Sequence, residues 1–285
     1  MTRILNGKEV GQALREHARM ETEKLRAEGI IPKLAILRVG DDEASMSYER
    51  SAKKAMKDSS IEAETFQLEE TATTEEILET IEQLNTNQSI HGIIIMQPLP
   101  KGHSRYDISS HIDPNKDVDG IHPMNLGYLI EGNKKALVPS TPQAVLEILD
   151  YYNYNIEGAD IVVIGSSAVV GKPLSIMLSN RNATVSNLHI YTKDIKQYTK
   201  QADILISATG ALGLIDVSHV KENAVVIDVG YGYKDGKITG DVQFEKVRPY
   251  VSAISPVPGG VGAVTTSVLA AQVIKAVKLQ TKKQT

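Results

Sequence analysis

The stretch with the strongest chemical signal is Ile161-Val162-Val163-Ile164-Gly165-Ser166-Ser167-Ala168-Val169-Val170-Gly171-Lys172-Pro173. Four consecutive β-branched residues predict a strand covered on both faces. Gly165 ends the run where a tight turn is needed, and Gly171 with Pro173 opens a segment that reads as helix from Leu174 to Leu178. A strand, a Gly/Ser turn and a helix in that order aim backbone N–H groups at an anion such as a phosphate. The spacing departs from the GxGxxG dinucleotide fingerprint, because Ser167 stands where the second glycine would be. The same residues would also serve as an ordinary βα turn of an enzyme sheet. Cysteine is absent, which removes disulfides, thiolate metal sites and thiol nucleophiles. No metal site is expected.

The elements that must hold this turn alternate in type. Residues 8–28 carry Val10, Leu14, Ala18 and Leu25 at helical spacing among charges, an amphipathic helix ending at Gly29. Leu34 to Val39 reads as a buried strand, Ser45 to Lys57 as helix, Ala63 to Leu68 as strand, and Thr74 to Asn85 as helix with Thr74 as its cap. Gly92 to Met96 is a further strand, closed by Pro98-Leu99-Pro100, and residues 111–125 read as a long polar loop. Ser140-Thr141-Pro142 starts a helix that continues from Gln143 to Tyr151. A second α/β series follows, with strands at 160–164, 183–188, 203–206 and 224–228 and a last helix from about Thr265 to Val277. Strands alternating with helices mean βαβ units and a mostly parallel sheet. The expected architecture is two α/β lobes around a cleft, and such clefts take ligands.

At 285 residues the chain can bury a sizeable core. A net charge of -4 argues against nucleic acid or an acidic membrane surface as partner. Lys275, Lys278, Lys282 and Lys283 read as a solvated helix end. With no signal peptide and no apolar run long enough to cross a bilayer, the expected compartment is the cytoplasm.

Several stretches converge on one family. They are Val39-Gly40-Asp41-Asp42 with Ala44-Ser45 and Ser47-Tyr48, Pro98-Leu99-Pro100, and Lys116-Asp117-Val118-Asp119-Gly120 with His122-Pro123. Val162 to Pro173, Ile227-Asp228-Val229-Gly230, and Pro256-Val257-Pro258-Gly259-Gly260-Val261-Gly262 complete the set. Together they resemble the bifunctional methylenetetrahydrofolate dehydrogenase/cyclohydrolase family (FolD type), with motifs in the family's order from about residue 3 to 278. The resemblance implies an N-terminal catalytic domain over 1–139, a Rossmann-type NAD(P)-binding domain over 140–269, and a C-terminal helix, 270–285, returning to the first domain. It also implies a tetrahydrofolate derivative as substrate, NADP or NAD as cofactor, and a homodimer. Members oxidise 5,10-methylenetetrahydrofolate to the methenyl form, and most also hydrolyse that product to 10-formyltetrahydrofolate.

Carried over residue by residue, Tyr48 matches the family's active-site tyrosine and Asp119 the aspartate that binds the pterin ring. Without the motif, Tyr48 would read as a core or rim residue and Asp119 as an Asx turn. Asp117 reads as structural. Pro258, Gly259 and Gly260 match the turn that lets backbone approach folate and nicotinamide. Thr265 matches the threonine after that turn, or is a helix cap. Gly165, Ser166, Ser167, Gly171, His189 and Tyr231 are the cofactor-binding candidates.

Two departures bear on chemistry. The family's catalytic lysine, four residues after the tyrosine on the same helix face, is Ala52 here, and the glutamine that contacts it is Met96. Lys53 is a possible substitute but lies about 100° further round the helix. Gln97 points to the other face of a regular strand. The family's basic pair for a 2′-phosphate is Ile190-Tyr191 here, and no acidic residue for the ribose stands nearby, so NAD and NADP both remain open; Lys193 could serve a phosphate. Hydride transfer asks mainly for orientation of two flat rings. Hydrolysis needs an activated water and proton shuttling, for which Ala52 and Met96 supply nothing. The residues therefore predict a folate dehydrogenase with weak or absent cyclohydrolase activity. The alternatives are a full bifunctional enzyme in which another group compensates, and a non-catalytic folate- or nucleotide-binding paralogue.

Overall fold

The computed structural model describes residues 2–234 and 236–281. Among them the chain runs β1 (Arg3–Ile4), α1 (Gly7–Ala27), β2 (Lys33–Val39), α2 (Glu43–Asp58), β3 (Glu62–Leu68), α3 (Thr74–Thr86), β4 (Gly92–Ile95), α4 (Arg105–Ser109), α5 (Pro123–Ile130) and α6 (Ser140–Tyr151). It continues through β5 (Asp160–Ile164), α7 (Gly171–Ser179), β6 (Thr184–Leu188), α8 (Lys196–Thr199), β7 (Ile204–Ser207), β8 (Val225–Asp228), β9 (Gly232–Lys234), β10 (Lys237–Thr239), α9 (Phe244–Val247), β11 (Ala253–Ile254) and α10 (Thr265–Thr281). The chain divides into two compact units. One comprises Gln12–Ser140 and the chain from Thr266 onward, the other the chain up to Gly11 and Thr141–Thr265.

The first unit is built on a parallel three-stranded sheet in the order β3-β2-β4. Successive side chains of a strand point to opposite faces, and β2 uses both. Leu34 and Ile36 join a cluster with Ala52, Met56, Ile94 and Met96, whereas Ala35, Leu37 and Val39 join another with Ile77, Ile81, Ile93 and Ile95. Leu269, Val273 and Val277 of α10 complete the first cluster. The cap of α3 is Thr73 rather than Thr74: the Thr73 hydroxyl accepts from the Glu76 N–H, and the Glu76 carboxylate accepts from the Thr73 N–H. At the other end of α3, buried Lys116 donates to the carbonyls of Leu84, Asn85 and Asn87. The stretch expected to be polar loop to 125 contains a helix start, because the His122 ring accepts from the Met124 N–H and Pro123 fits the first turn of α5. Lys275 is not part of a solvated tail. It is largely buried and donates to the Ala136 carbonyl, and desolvation holds its pKa below the usual lysine value. Lys278 is exposed and pairs with Glu21, while Lys282 and Lys283 lie outside the described residues.

The second unit carries a parallel six-stranded sheet in the order β1-β11-β8-β7-β5-β6. The predicted strands at 160–164, 183–188, 203–206 and 224–228 form its four longest members, with ends shifted by at most one residue. The opening residues, read from sequence as part of the N-terminal domain, are instead its edge: Arg3 pairs with Ala253 and Ile4 with Ile254. The antiparallel hairpin of β9 and β10 is likewise absent from the sequence reading. Among the described residues, no helix is long and apolar enough to cross a membrane.

Candidate functional site

In the second unit, β5 stops at Ile164 and the chain turns at Gly165, whose φ of +117° falls in the region that favours glycine. Its N–H donates to the Leu188 carbonyl, and an added Cβ would lie 2.3 Å from the Ala208 oxygen. Gly171 opens α7 so close to this turn that a Cβ there would lie 1.8 Å from the Gly165 oxygen. No side chain caps the start of α7. The turn therefore offers what a dinucleotide's phosphates need, a close backbone approach and a helix start without a side-chain acceptor. Ser166 is half-buried. Ser167 closes the turn itself, its hydroxyl accepting from the Val170 N–H and its carbonyl from the Lys172 N–H.

His189 follows β6 and is exposed; its Nδ1 accepts from the Tyr191 N–H, and its own N–H donates to the Thr192 hydroxyl. Ile190 and Tyr191 point into solvent, with 91% and 86% exposure. Lys193 lines a hollow of about 460 Å³ beside His189, Thr192 and Asp194.

A second cavity of the same unit, about 430 Å³, lies at the Pro258-Gly259-Gly260 turn. Its walls are mostly backbone and apolar side chains, with Thr141, Tyr231 and Thr265 among them. The start of α1 is pinned to the turn. The Gly7 N–H donates to the Gly259 carbonyl at 2.8 Å, and a Cβ on Gly7 would lie 2.0 Å from the Gly260 oxygen. A Cβ on Gly260 would meet the Pro256 oxygen at 2.4 Å. These close contacts explain why the wall is backbone. The Thr265 hydroxyl donates to the Gly262 carbonyl, and the exposed Tyr231 hydroxyl reaches that of Tyr233.

Sequence reasoning placed Asp228 in a family motif without a role and did not single out Asp241, yet these two groups brace the wall. The buried carboxylate of Asp228 accepts from the N–H groups of Gly230, Asp241 and Val242. Burial pushes its pKa up to about 6. Asp241 in turn accepts from the hydroxyls of Ser207 and Thr209 and the Thr209 N–H. Each also has a glycine against it: a Cβ on Gly230 would lie 2.2 Å from Asp241, and one on Gly240 2.1 Å from Asp228.

The tyrosine and the aspartate belong to the first unit. Asp42 caps α2 by accepting from the Ser45 N–H, and the Ser45 hydroxyl donates to the Gln97 carbonyl, tying the helix to the segment after β4. Tyr48 is half-buried and packs on the apolar cluster that contains Ala52 and Met96. Both replacements are themselves buried, while Gln97 is exposed. Burial, and then the charge of Asp119, push the Tyr48 hydroxyl well above the usual tyrosine pKa. Burial also pushes Asp119 up to about 7, with the Asp117 charge adding to the shift and Arg105 opposing it. Asp117 is fully buried and accepts from the His122 N–H and the Asn125 amide, a structural role. Lys53, the candidate substitute for the lysine, is engaged elsewhere in this structure. Its ammonium sits 2.8 Å from Glu49, whose carboxylate also accepts from Arg38 and Thr65.

A parallel α/β sheet, a glycine-walled βα turn and an uncapped helix start define a dinucleotide-binding protein. The chain belongs to the tetrahydrofolate dehydrogenase/cyclohydrolase family: residues 5–119 match the model of its catalytic domain and residues 139–281 that of its NAD(P)-binding domain. A relative from Clostridium botulinum (strain Okra / Type B1), named bifunctional protein FolD, is 44% identical over 97% of this chain and 98% of its own length. Another of that name from Desulforamulus reducens is 44% identical over 98% of both chains. The crystal structure of the bifunctional FolD enzyme from Campylobacter jejuni superposes with a TM-score of 0.96 at 40% identity, over 98% of this chain and 100% of the other. The expected family, the fold class and the use of NAD or NADP hold.

Proposed function

We propose that this chain is a NAD(P)-dependent 5,10-methylenetetrahydrofolate dehydrogenase whose cyclohydrolase activity is weak or absent. The observation that carries the reading is the burial of Ala52 and Met96 in the apolar cluster against which Tyr48 packs, where the family resemblance calls for a lysine and a glutamine. The dinucleotide, when bound, accepts a hydride at its nicotinamide from the methylene carbon of the folate. The chain's part in that step is orientation: Asp119 accepts N–H donors of the pterin, Tyr48 packs against the folate, and the Pro258-Gly259-Gly260 wall lets the nicotinamide approach backbone. The turn at Gly165, Ser166 and Gly171 holds phosphates, with His189 and Tyr231 at the cofactor's flanks. No proton moves at the reacting carbon, so the lysine is dispensable for this half. Hydrolysis differs, because water must lose a proton and a folate nitrogen must gain one. A tyrosine whose pKa is raised holds its proton too firmly to act as base near neutrality. The resemblance that implies the folate also implies a homodimer.

Absorbance at the methenyl band, followed with NAD and with NADP, tests both halves. Methenyl-folate should appear in step with enzyme, and formyl-folate no faster than spontaneous hydrolysis allows. Formyl product rising with enzyme concentration overturns the cyclohydrolase half. Absence of dinucleotide reduction under every condition overturns the dehydrogenase half in favour of a binding paralogue.

A further inference from the structure

The cavity at the Pro258-Gly259-Gly260 turn has a lysine and an aspartate in its wall; the aspartate is buried against backbone donors, and only the lysine is exposed and, among the described residues, without a partner. The Asp228 carboxylate is engaged by three backbone N–H groups. Lys8 is exposed, and among the described residues its ammonium has no ion pair or hydrogen bond. Its backbone, by contrast, is fixed. The Lys8 N–H donates to the Asn6 side chain, and Gly7 is locked against Gly259 and Gly260 without room for a Cβ. An unpaired head on an anchored stem thus stands at a cavity whose walls are mostly backbone and apolar side chains.

We infer that Lys8 discriminates between the redox forms of the cofactor, its ammonium disfavouring the cationic oxidised ring in this cavity and favouring the neutral reduced one. The inference rests on the proposal that the cavity takes the nicotinamide. An oxidised nicotinamide carries a positive charge that the dihydro form lacks, and like charges a few ångströms apart repel most where the walls are apolar. The exposed head moderates the effect, which salt weakens further. Lys8 thereby favours the direction in which the folate gives up hydride, without touching the folate or transferring a proton.

The test is equilibrium titration of the full chain with NADP and NADPH, and with NAD and NADH, at low and high salt. The variants are Lys8→Met, Lys8→Arg and Gly262→Leu. Gly262 is at the cavity wall, and an added Cβ there meets nothing within 4 Å, so leucine can obstruct the cavity without displacing backbone. Lys8→Met should tighten the oxidised form relative to the reduced form by about three- to tenfold at low salt, in line with one screened charge pair. Lys8→Arg should keep the wild-type ratio, and Gly262→Leu should weaken both forms alike. An unchanged ratio in Lys8→Met, with both forms weakened by Gly262→Leu, overturns the role of Lys8 and leaves the cavity assignment standing. Unweakened binding in Gly262→Leu overturns the cavity assignment, and the inference with it.

Discussion

The glycine-walled turns of one unit and the Tyr48 region of the other are built from different materials. At Gly7, Gly165, Gly171 and Gly260 the site is backbone against backbone, with no room for a Cβ. Changing those residues means moving strands and helices. Around Tyr48 the candidate site is made of side chains on an intact helix and an intact strand, and there Ala52 and Met96 fill space as ordinary core residues. A backbone-built site is thus tied to the fold, whereas a side-chain-built one can change its chemistry while packing is preserved.

The comparison breaks most visibly if polar groups are returned to the Tyr48 region. Ala52→Lys combined with Met96→Gln should raise enzyme-dependent formyl-folate production by about 10²–10⁴-fold, the usual contribution of general acid–base groups. The same pair should lower stability, because an ammonium enters a fully buried position. Unchanged hydrolysis in a folded double variant would mean that more than these two groups is missing.

Gly171→Ala probes the other region. Its methyl group has no space beside the Gly165 carbonyl, so it should cost about 1–3 kcal/mol in thermal unfolding and weaken dinucleotide binding at least tenfold. A variant that binds normally would show that the turn can yield.

Asp119 gives a smaller, pH-dependent effect. Its pKa is higher in the fold than the ordinary 3.8, so the folded state binds more protons and this group's contribution to stability is present below about pH 4 and lost as pH rises through about 7. Asp119→Asn should therefore gain stability relative to wild type on going from pH 5 to pH 8. Affinity for a folate analogue runs the opposite way in the wild type, falling as pH drops below about 7, since only the carboxylate accepts two N–H donors. An affinity independent of pH between 5 and 8 would separate Asp119 from the pterin.

The smallest effect is expected at Lys53. Its partner Glu49 keeps Arg38 and Thr65, so Lys53→Ala should leave turnover unchanged and cost about 0–1 kcal/mol. A large fall in turnover would restore Lys53 as the substitute for the missing lysine.

The alternating strands and helices were legible because buried parallel strands and amphipathic helices leave strong periodic signals. β1 was not, since two residues carry no period and their partner, β11, is remote in sequence. The hairpin of β9 and β10 is three residues a side with none of them buried, so no apolar alternation marks it. Lys275 looked solvated among other lysines; only packing shows its stem buried and its ammonium on Ala136. For the candidate site, glycine spacing marks the turns, and Tyr48 and Asp119 are candidates through family motifs alone. The braces at Asp228 and Asp241 stayed hidden because a carboxylate held by backbone N–H groups looks in sequence like any other aspartate.

The pairing of Arg3 and Ile4 with β11 has a consequence for how the chain is made. Both units join segments far apart in the chain: the six-stranded sheet sets β1 beside β11, and the three-stranded unit takes α10 into its core. The six-stranded sheet cannot be finished before β11 has emerged from the ribosome, nor the three-stranded unit before α10 has, which favours a late, concerted closure over folding one unit at a time.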